Sequence, residues 1–522
     1  MTLLCAAITA PNIEAMIADA ARAFAAGADI VELRLDYLDD PHPDIEALLS
    51  RIDGRTIATC RPTDEGGRYG ADTSARVGLL EAAGLANADY LDCEFTSWSQ
   101  VVEIRERIGK VTEIDGDSPH PRRKLILSHH EFSETPEHLD TIFASMLNVP
   151  AHVIKIATHA ESIVDSLRML SALREAAGQR PTIALCMGEA GIMTRVLARK
   201  LGAFLTFASL EHGHESAPGQ PTLDELLRLY RWDTIDEETA VYGVIGSPVG
   251  HSMSPAIHNA AFGAVGVNAV YLPFLVEPGS EAFDAFVRGC IERPWLSVRG
   301  LSVTIPHKLP ALRFAGDNVE PLAARIGAVN TLVIDESGAV RGLNTDYAAI
   351  LDSLTDAMGC DRGDLRDAPV AILGAGGAAR AAVAGLTDCG ARVTIFNRTA
   401  GKARALAEEF DADARDWTER SHHDAKVVIN TTSVGMHPKT DDTPMPRDAL
   451  NAQTTIFDTV YNPIETRLLA DARRAGCTTI DGVTMFVRQA AAQFTLFTGR
   501  DAPVDLMRNV VIKRLTVCSP PR

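Results

Sequence analysis

One unit repeats along the first two-fifths of the chain: a short apolar or β-branched run, then an Ala/Leu-rich stretch at helical spacing. That alternation constrains the fold more than any single motif. The runs are LLCAAI (from Leu3), IVELRLD (Ile30), TIATCR (Thr56), YLDCEF (Tyr90), KLILSHH (Lys124), HVIKIA (His152), TIALCMG (Thr182) and LTFA (Leu205). Stretches such as IEAMIADAARAFAAG and VDSLRMLSALREAAG lie between them. Parallel strands need a crossover to return the chain, and a helix is the usual one. Eight such units, about 23 to 34 residues apart, predict a (β/α)8 barrel over residues 1–225.

The rhythm then changes. LDELLRLYRWDTIDEET (from Leu223) reads as a closing helix and an acidic linker, 226–239. VYGVIG, AVYLPF, LSVTIPHK and TLVID follow as strands of a substrate lobe, 240–345. PVAILGAGGAAR, RVTIFNR, AKVVINTT, TIFDTVY and TTIDG make a dinucleotide-binding sheet, 346–489. The last helical stretch returns to the substrate lobe over 490–515. The whole is α/β, a barrel followed by a two-lobed unit with a Rossmann-like half.

A net charge of −19 over 522 residues argues against nucleic-acid or anionic-membrane partners, which need clustered positive charge. The nine cysteines, Cys518 among them, form no C-x-x-C pair and read as reduced thiols, with no metal expected. MTLLCAAITAPN lacks the basic flank of a secretory signal, and no run is long enough to span a membrane, so a cytoplasmic protein is expected.

In the first half the polar residues fall at strand ends. Glu32, Arg34 and Asp36 alternate with leucines and share one face, where buried charges need partners or a ligand. Arg61 ends the third run, His129 and His130 the fifth, and Met187 the seventh. Glu65, Arg195, Ser216 and Gln220 follow in loops. Barrel enzymes keep their sites at that end. Lys155, between Ile154 and Ile156, is expected to be dry, which favours the free amine that attacks a ketone. A histidine on a neighbouring strand is a suitable base for the adjacent carbon. Taken alone, VIKIA fits a snorkelling or salt-bridged lysine at a strand end better.

In the second half Gly374, Gly376 and Ala379 fit G-x-G-x-x-G/A between a strand and a helix. The next strand ends at Asn397-Arg398-Thr399, where an NAD site would carry an acid. Arg398 and Lys402 would instead attract a 2′-phosphate, so the expected cofactor is NADP. Ser252 and Ser254 stand beside a helix start, and Thr304 and Lys308 near a strand end. Asn330, Asn344, Thr345 and Asp346 lie in GAVNT and GLNTD. A Lys308–Asp346 pair could give a proton to a forming alkoxide.

ELRLD, CRPTDEGG, SHHEF, VIKIA, CMGEAGIMTR and SAPGQ, in that order, resemble type I 3-dehydroquinate dehydratase. The resemblance implies Lys155 as the Schiff-base lysine, His130 as acid/base and Glu65 as a helper near the imine. Glu32, Arg34, Arg61, Arg195, Ser216 and Gln220 would hold the substrate, with His129 structural. GSPVGHSMSPAIHN, VTIPHK, GAVNT, GLNTD, GAGGAAR, NRT, NTTSVGM and DGVTMFVRQAAAQF resemble shikimate dehydrogenase. This implies Lys308 and Asp346 as the catalytic pair. Ser252, Ser254, Thr304, Asn330, Tyr461, Gly482 and Gln489 would contact substrate. Gly374, Ala375, Gly376, Gly377, Ala378, Asn397, Arg398, Thr399 and Lys402 would hold NADP.

The expected partners are small molecules: 3-dehydroquinate, 3-dehydroshikimate and shikimate, joined by two consecutive reactions on one chain. The rivals are an NAD-dependent quinate dehydrogenase in the second half, and a ligand sensor built from retired enzyme domains. The sensor predicts broken catalytic positions, whereas Lys155, His130, Lys308 and Asp346 are all present.

Overall fold

The computed structural model describes residues 2–70, 72–112 and 123–517; Cys518 lies outside them. Eight parallel strands form the first sheet: β1 (Leu3–Ile8), β2 (Ile30–Arg34), β3 (Arg55–Thr59), β4 (Tyr90–Glu94), β5 (Lys124–Glu131), β6 (Val153–His159), β7 (Thr182–Met187) and β8 (Leu205–Ala208). Their order is β7-β6-β5-β4-β3-β2-β1-β8. The Phe204 N–H donates to Thr182 O at 2.8 Å and brings the two ends of the sheet together.

The barrel interior is layered by the two-residue period of its strands. Leu3, Ile30, Ile57, Ile126, Val153, Ile183 and Leu205 fill one end with hydrocarbon. Two residues further along several of the same strands stand Glu32, Thr59, Ser128 and Lys155, all buried. Apolar packing thus closes the bottom, and every interior charge is gathered at the C-terminal mouth.

The second sheet is β9 (Ala240–Gly246), β10 (Ala269–Leu275), β11 (Val298–Val303), β12 (Thr331–Ile334) and β13 (Val340–Leu343), in the order β10-β9-β11-β12-β13. The third is β14 (Pro369–Leu373), β15 (Arg392–Asn397), β16 (Asp413–Asp416), β17 (Val427–Asn430), β18 (Thr455–Asp458) and β19 (Thr478–Ile480), in the order β16-β15-β14-β17-β18-β19. Counted within that sheet, the order is 3-2-1-4-5-6, the doubly wound arrangement of dinucleotide-binding domains. Sequence reading passed over β13 and β16. Both are four-residue edge strands with few buried side chains, so neither leaves an apolar run. The helix Asp346–Met358 begins the third unit, and the helix Gly482–Thr498 runs unbroken past residue 490.

Residues 226–239, expected as an acidic linker, are instead packed: Leu226, Tyr230, Trp232 and Ile235 are each at most 5% exposed. Four spaced apolar side chains among the acids anchor the segment to the core shared by the barrel and the second sheet. The halves also touch directly, as Arg293 Nε donates to Ser171 Oγ at 2.8 Å. A Cβ at Gly250 would stand 2.8 Å from Glu189 Oε1. Loops beside the two candidate sites therefore abut.

Candidate active sites

Glu32, Arg34, Arg61, Glu65, His130, Lys155, Arg195, Ser216 and Gln220, from six stations around the ring, line one cavity at the barrel mouth. His129 lies off it, on the other face of β5. The Lys155 amine is dry, as its flanking isoleucines suggest, and it is also salt-bridged. Nζ donates to Asp92 Oδ2 at 2.9 Å and Glu32 Oε1 at 3.2 Å, and stands 4.5 Å from the Phe207 ring centroid. Arg61 donates to Asp92 Oδ1 and Glu94 Oε1, each at 2.8 Å, and Ser128 Oγ to Asp92 Oδ1 at 2.6 Å. These bonds, above all the charge of Arg61, hold the Asp92 carboxyl far below the usual carboxylate range despite full burial.

Sequence reasoning missed Asp92, Glu94 and Ser128. For the two carboxylates the signal was present, since YLDCEF sets charges at alternate positions just as ELRLD does.

His130 Nδ1 lies 3.4 Å from Glu65 Oε2. Burial, then the charges of Arg61 and Lys155, keep the imidazole neutral well below its ordinary pKa. Burial raises Glu65 to about 7. Arg34 is committed to Asp36 by two bonds of 2.9 and 2.7 Å. Arg195 differs. It is 2% exposed, its Nε has no partner among the described residues, and burial lowers its pKa to about 10. Gln220 Nε2 is likewise buried and unpartnered, while Gln220 Oε1 accepts from Ser216 N at 2.9 Å and Oγ at 3.0 Å. A buried guanidinium without a carboxylate is costly unless an anion joins it.

The second cavity, about 400 Å³, lies between the lobes. Lys308 opens the helix Lys308–Ala315 and Asp346 opens the helix Asp346–Met358; Nζ donates to Asp346 Oδ2 at 2.6 Å. Ser252, Ser254, Thr304, Asn330, Tyr461, Gly482 and Gln489 all line this cavity. Ser302 and Gln493 line it as well and were passed over. Gln493 sits one helical turn after Gln489, the spacing that puts both on one face. Tyr271 Oη donates to Ser302 Oγ at 2.6 Å, and Ser302 Oγ to Gln493 Oε1 at 2.7 Å.

Ala378 lines the same cavity, so the glycine turn and Lys308 face one space. Gly374 has φ +117°, a backbone that favours glycine, and a Cβ there would stand 2.6 Å from Thr431 Oγ1. A Cβ on Gly376 or Gly377 would meet nothing within 4 Å. The start of the helix Gly377–Asp388 therefore presents glycine backbone to open space, a cradle suited to pyrophosphate. Ala375 completes the turn. Asn397 Nδ2 donates to Thr399 O at 3.0 Å and shapes the end of β15. Arg398 and Lys402 are exposed there and, among the described residues, have no ion-pair partner. This donor set fits a phosphorylated dinucleotide.

Family models match the chain in the same order: type I 3-dehydroquinase over residues 4–237, the shikimate dehydrogenase substrate binding domain over 244–332, shikimate / quinate 5-dehydrogenase over 359–444, and the shikimate 5′-dehydrogenase C-terminal domain over 482–512. The bifunctional 3-dehydroquinate dehydratase/shikimate dehydrogenase of Arabidopsis thaliana chloroplasts is 39% identical over 98% of this chain and 84% of its own. The chain belongs to the bifunctional 3-dehydroquinate dehydratase/shikimate dehydrogenase family.

Shikimate dehydrogenase (NADP+) of Methanosarcina acetivorans is 41% identical over 53% of this bifunctional chain and 98% of its own. A solved shikimate dehydrogenase in complex with NADP+ covers 54% of it and 97% of the solved chain, at 34% identity and a TM-score of 0.50. In this member, no helix among the described residues is long and apolar enough to cross a membrane.

Proposed function

We propose that the barrel (residues 1–225) dehydrates 3-dehydroquinate to 3-dehydroshikimate. The two-lobed unit (240–345 with 490–515, and 346–489) reduces that ketone to shikimate with NADPH, in the cytoplasm. The observation that carries the first half is Arg195, a buried guanidinium with an unpartnered Nε in the cavity that holds Lys155. In this reading it meets the substrate carboxylate. Gln220 Nε2 and Ser216 meet hydroxyls, and Glu32, Arg34 and Arg61 frame the ring.

Lys155 Nζ, as its free amine, attacks the ketone carbon, and water leaves as the imine forms. His130, neutral at pH 7, takes the proton from the adjacent carbon. The electron pair moves toward the iminium and returns to expel the hydroxyl, to which His130 gives its proton. Water then hydrolyses the imine. Glu65, beside His130, helps move that proton.

In the second cavity NADPH supplies a hydride when bound. Gly374, Ala375, Gly376, Gly377 and Ala378 hold its pyrophosphate. Asn397, Arg398, Thr399 and Lys402 hold the adenosine phosphate. Lys308 gives a proton to the oxygen that becomes the new hydroxyl, and Asp346 orients its ammonium. Ser252, Ser254, Thr304, Asn330, Tyr461, Gly482 and Gln489 fix the ring.

One coupled assay tests both halves. With 3-dehydroquinate, Lys155→Met should stop NADPH oxidation, and added 3-dehydroshikimate should restore it. Lys308→Met should stop oxidation from either substrate while the dehydration absorbance still rises. Borohydride with 3-dehydroquinate should leave a reduced adduct on Lys155. An unmodified Lys155 with turnover intact refutes the imine, and a joint loss in either variant refutes separate sites.

A further inference from the structure

The buried charges at the barrel mouth extend beyond the cavity. Arg61 divides its guanidinium between Asp92 and Glu94. Glu94 does not line the cavity; its second oxygen accepts from Arg76 Nη1. Arg76 stands outside the strand ring on the helix Thr73–Leu85, yet it is only 2% exposed. Its other donors go to Cys60 O at 3.3 Å and Ser97 Oγ at 3.1 Å. The result is a row of alternating charges, Arg76, Glu94, Arg61, Asp92 and Lys155, none more than 5% exposed. Screening by solvent is weak there, so each member feels the next.

We propose that Arg76 is a positioning residue for dehydration. By occupying one oxygen of Glu94 it leaves Arg61 free to serve Asp92, and so sets how firmly Asp92 holds the Lys155 ammonium. This rests on Lys155 being the nucleophile. The groups facing Lys155 are Cys5 from β1, Glu32 and Arg34 from β2, Asp92 from β4, His130 from β5 and Phe207 from β8. Arg61, Glu65 and Arg195 face it from the loops.

Without Arg76, Glu94 draws Arg61 toward itself and the row gains one net negative charge. Asp92 then binds the ammonium more tightly and opposes release of the amine that attacks the ketone. Arg76 touches no substrate, so the Michaelis constant should change little.

The test is the pH profile of dehydratase kcat in the full chain, with shikimate oxidation by the same chain as the control for folding. Arg76→Met should lower kcat at pH 7 by about tenfold and move the acid limb up by about one pH unit. Arg76→Lys should keep the wild-type limb. Arg76→Met combined with Glu94→Gln should return the limb toward wild type, because the charge balance is restored. An unmoved limb in Arg76→Met, or a double variant as displaced as the single, overturns the proposal. Should Arg76→Met lose shikimate oxidation too, Glu94→Gln decides: its limb should move down, and an unmoved limb overturns the proposal. Failure of the wild type to trap borohydride on Lys155 would instead remove the reading on which the proposal rests.

Discussion

Gly482 offers a clean perturbation of one site. It begins the helix Gly482–Thr498 and sits against Thr459 and Val460, just past the end of β18. A Cβ there would stand 2.3 Å from Val460 O, 2.5 Å from Val460 C and 2.7 Å from Thr459 O, all backbone atoms without rotamers to yield. Ordinary contact begins near 3.4 Å, so Gly482→Ala must push the helix start back by about 1 Å. That helix carries Met485, Phe486, Gln489 and Gln493 into the cavity. A displacement of about 1 Å in positioning groups costs about 100-fold in rate, and overpacking of this kind about 1–3 kcal/mol in stability.

Gly482→Ala should therefore lower kcat/KM for shikimate oxidation by about 100-fold. Dehydration, which draws on no residue of that helix, should stay within about twofold. The assay is initial-rate nicotinamide absorbance against shikimate, beside the dehydration absorbance of the same sample. A folded variant within about threefold of wild type for shikimate would refute the argument that this backbone contact sets the cavity wall.

Arg398→Ala should raise the Michaelis constant for NADPH by about tenfold or more, as expected for loss of one charge-assisted bond, and leave that for NADH nearly unchanged. Equal effects on the two cofactors would show that Arg398 does not meet the phosphate. Burial pushes the Asp458 carboxyl up to about 6, against hydrogen bonds from Thr466, Val460 and Asn430. A folded-state value above the unfolded one (about 3.9) favours the protonated form. That stabilisation is complete at low pH and is lost as the pH rises from about 4 through 6, a change of about 3 kcal/mol. Asp458→Asn should remove this slope in urea unfolding of the full chain at pH 4 and pH 8. A slope equal to that of wild type would mean that the carboxyl ionises without penalty.

The eight barrel strands were legible because each is a dry interior run, and Lys155, His130 and Arg61 because each breaks or ends such a run with charge. Lys308 and Asp346 were legible as types at motif positions. What joins them was not: Lys155 meets Asp92 across two strand intervals, and Arg76 meets Glu94 from a helix outside the ring. Those distances are made by the closure of the sheet, which no local pattern encodes. β13 and β16 were invisible because edge strands bury little. The connector misled because its acidic residues hid the spacing of Leu226, Tyr230, Trp232 and Ile235.

That connector bears on how this chain can be divided. With Trp232 1% exposed, severing the molecule between its catalytic halves would strip hydrocarbon from both fragments at once. Each fragment would carry a sticky scar, so separate production calls for resurfacing as well as a stop codon. A two-gene arrangement could not simply be cut from this protein, and the seam itself would have to be rewritten in polar residues first.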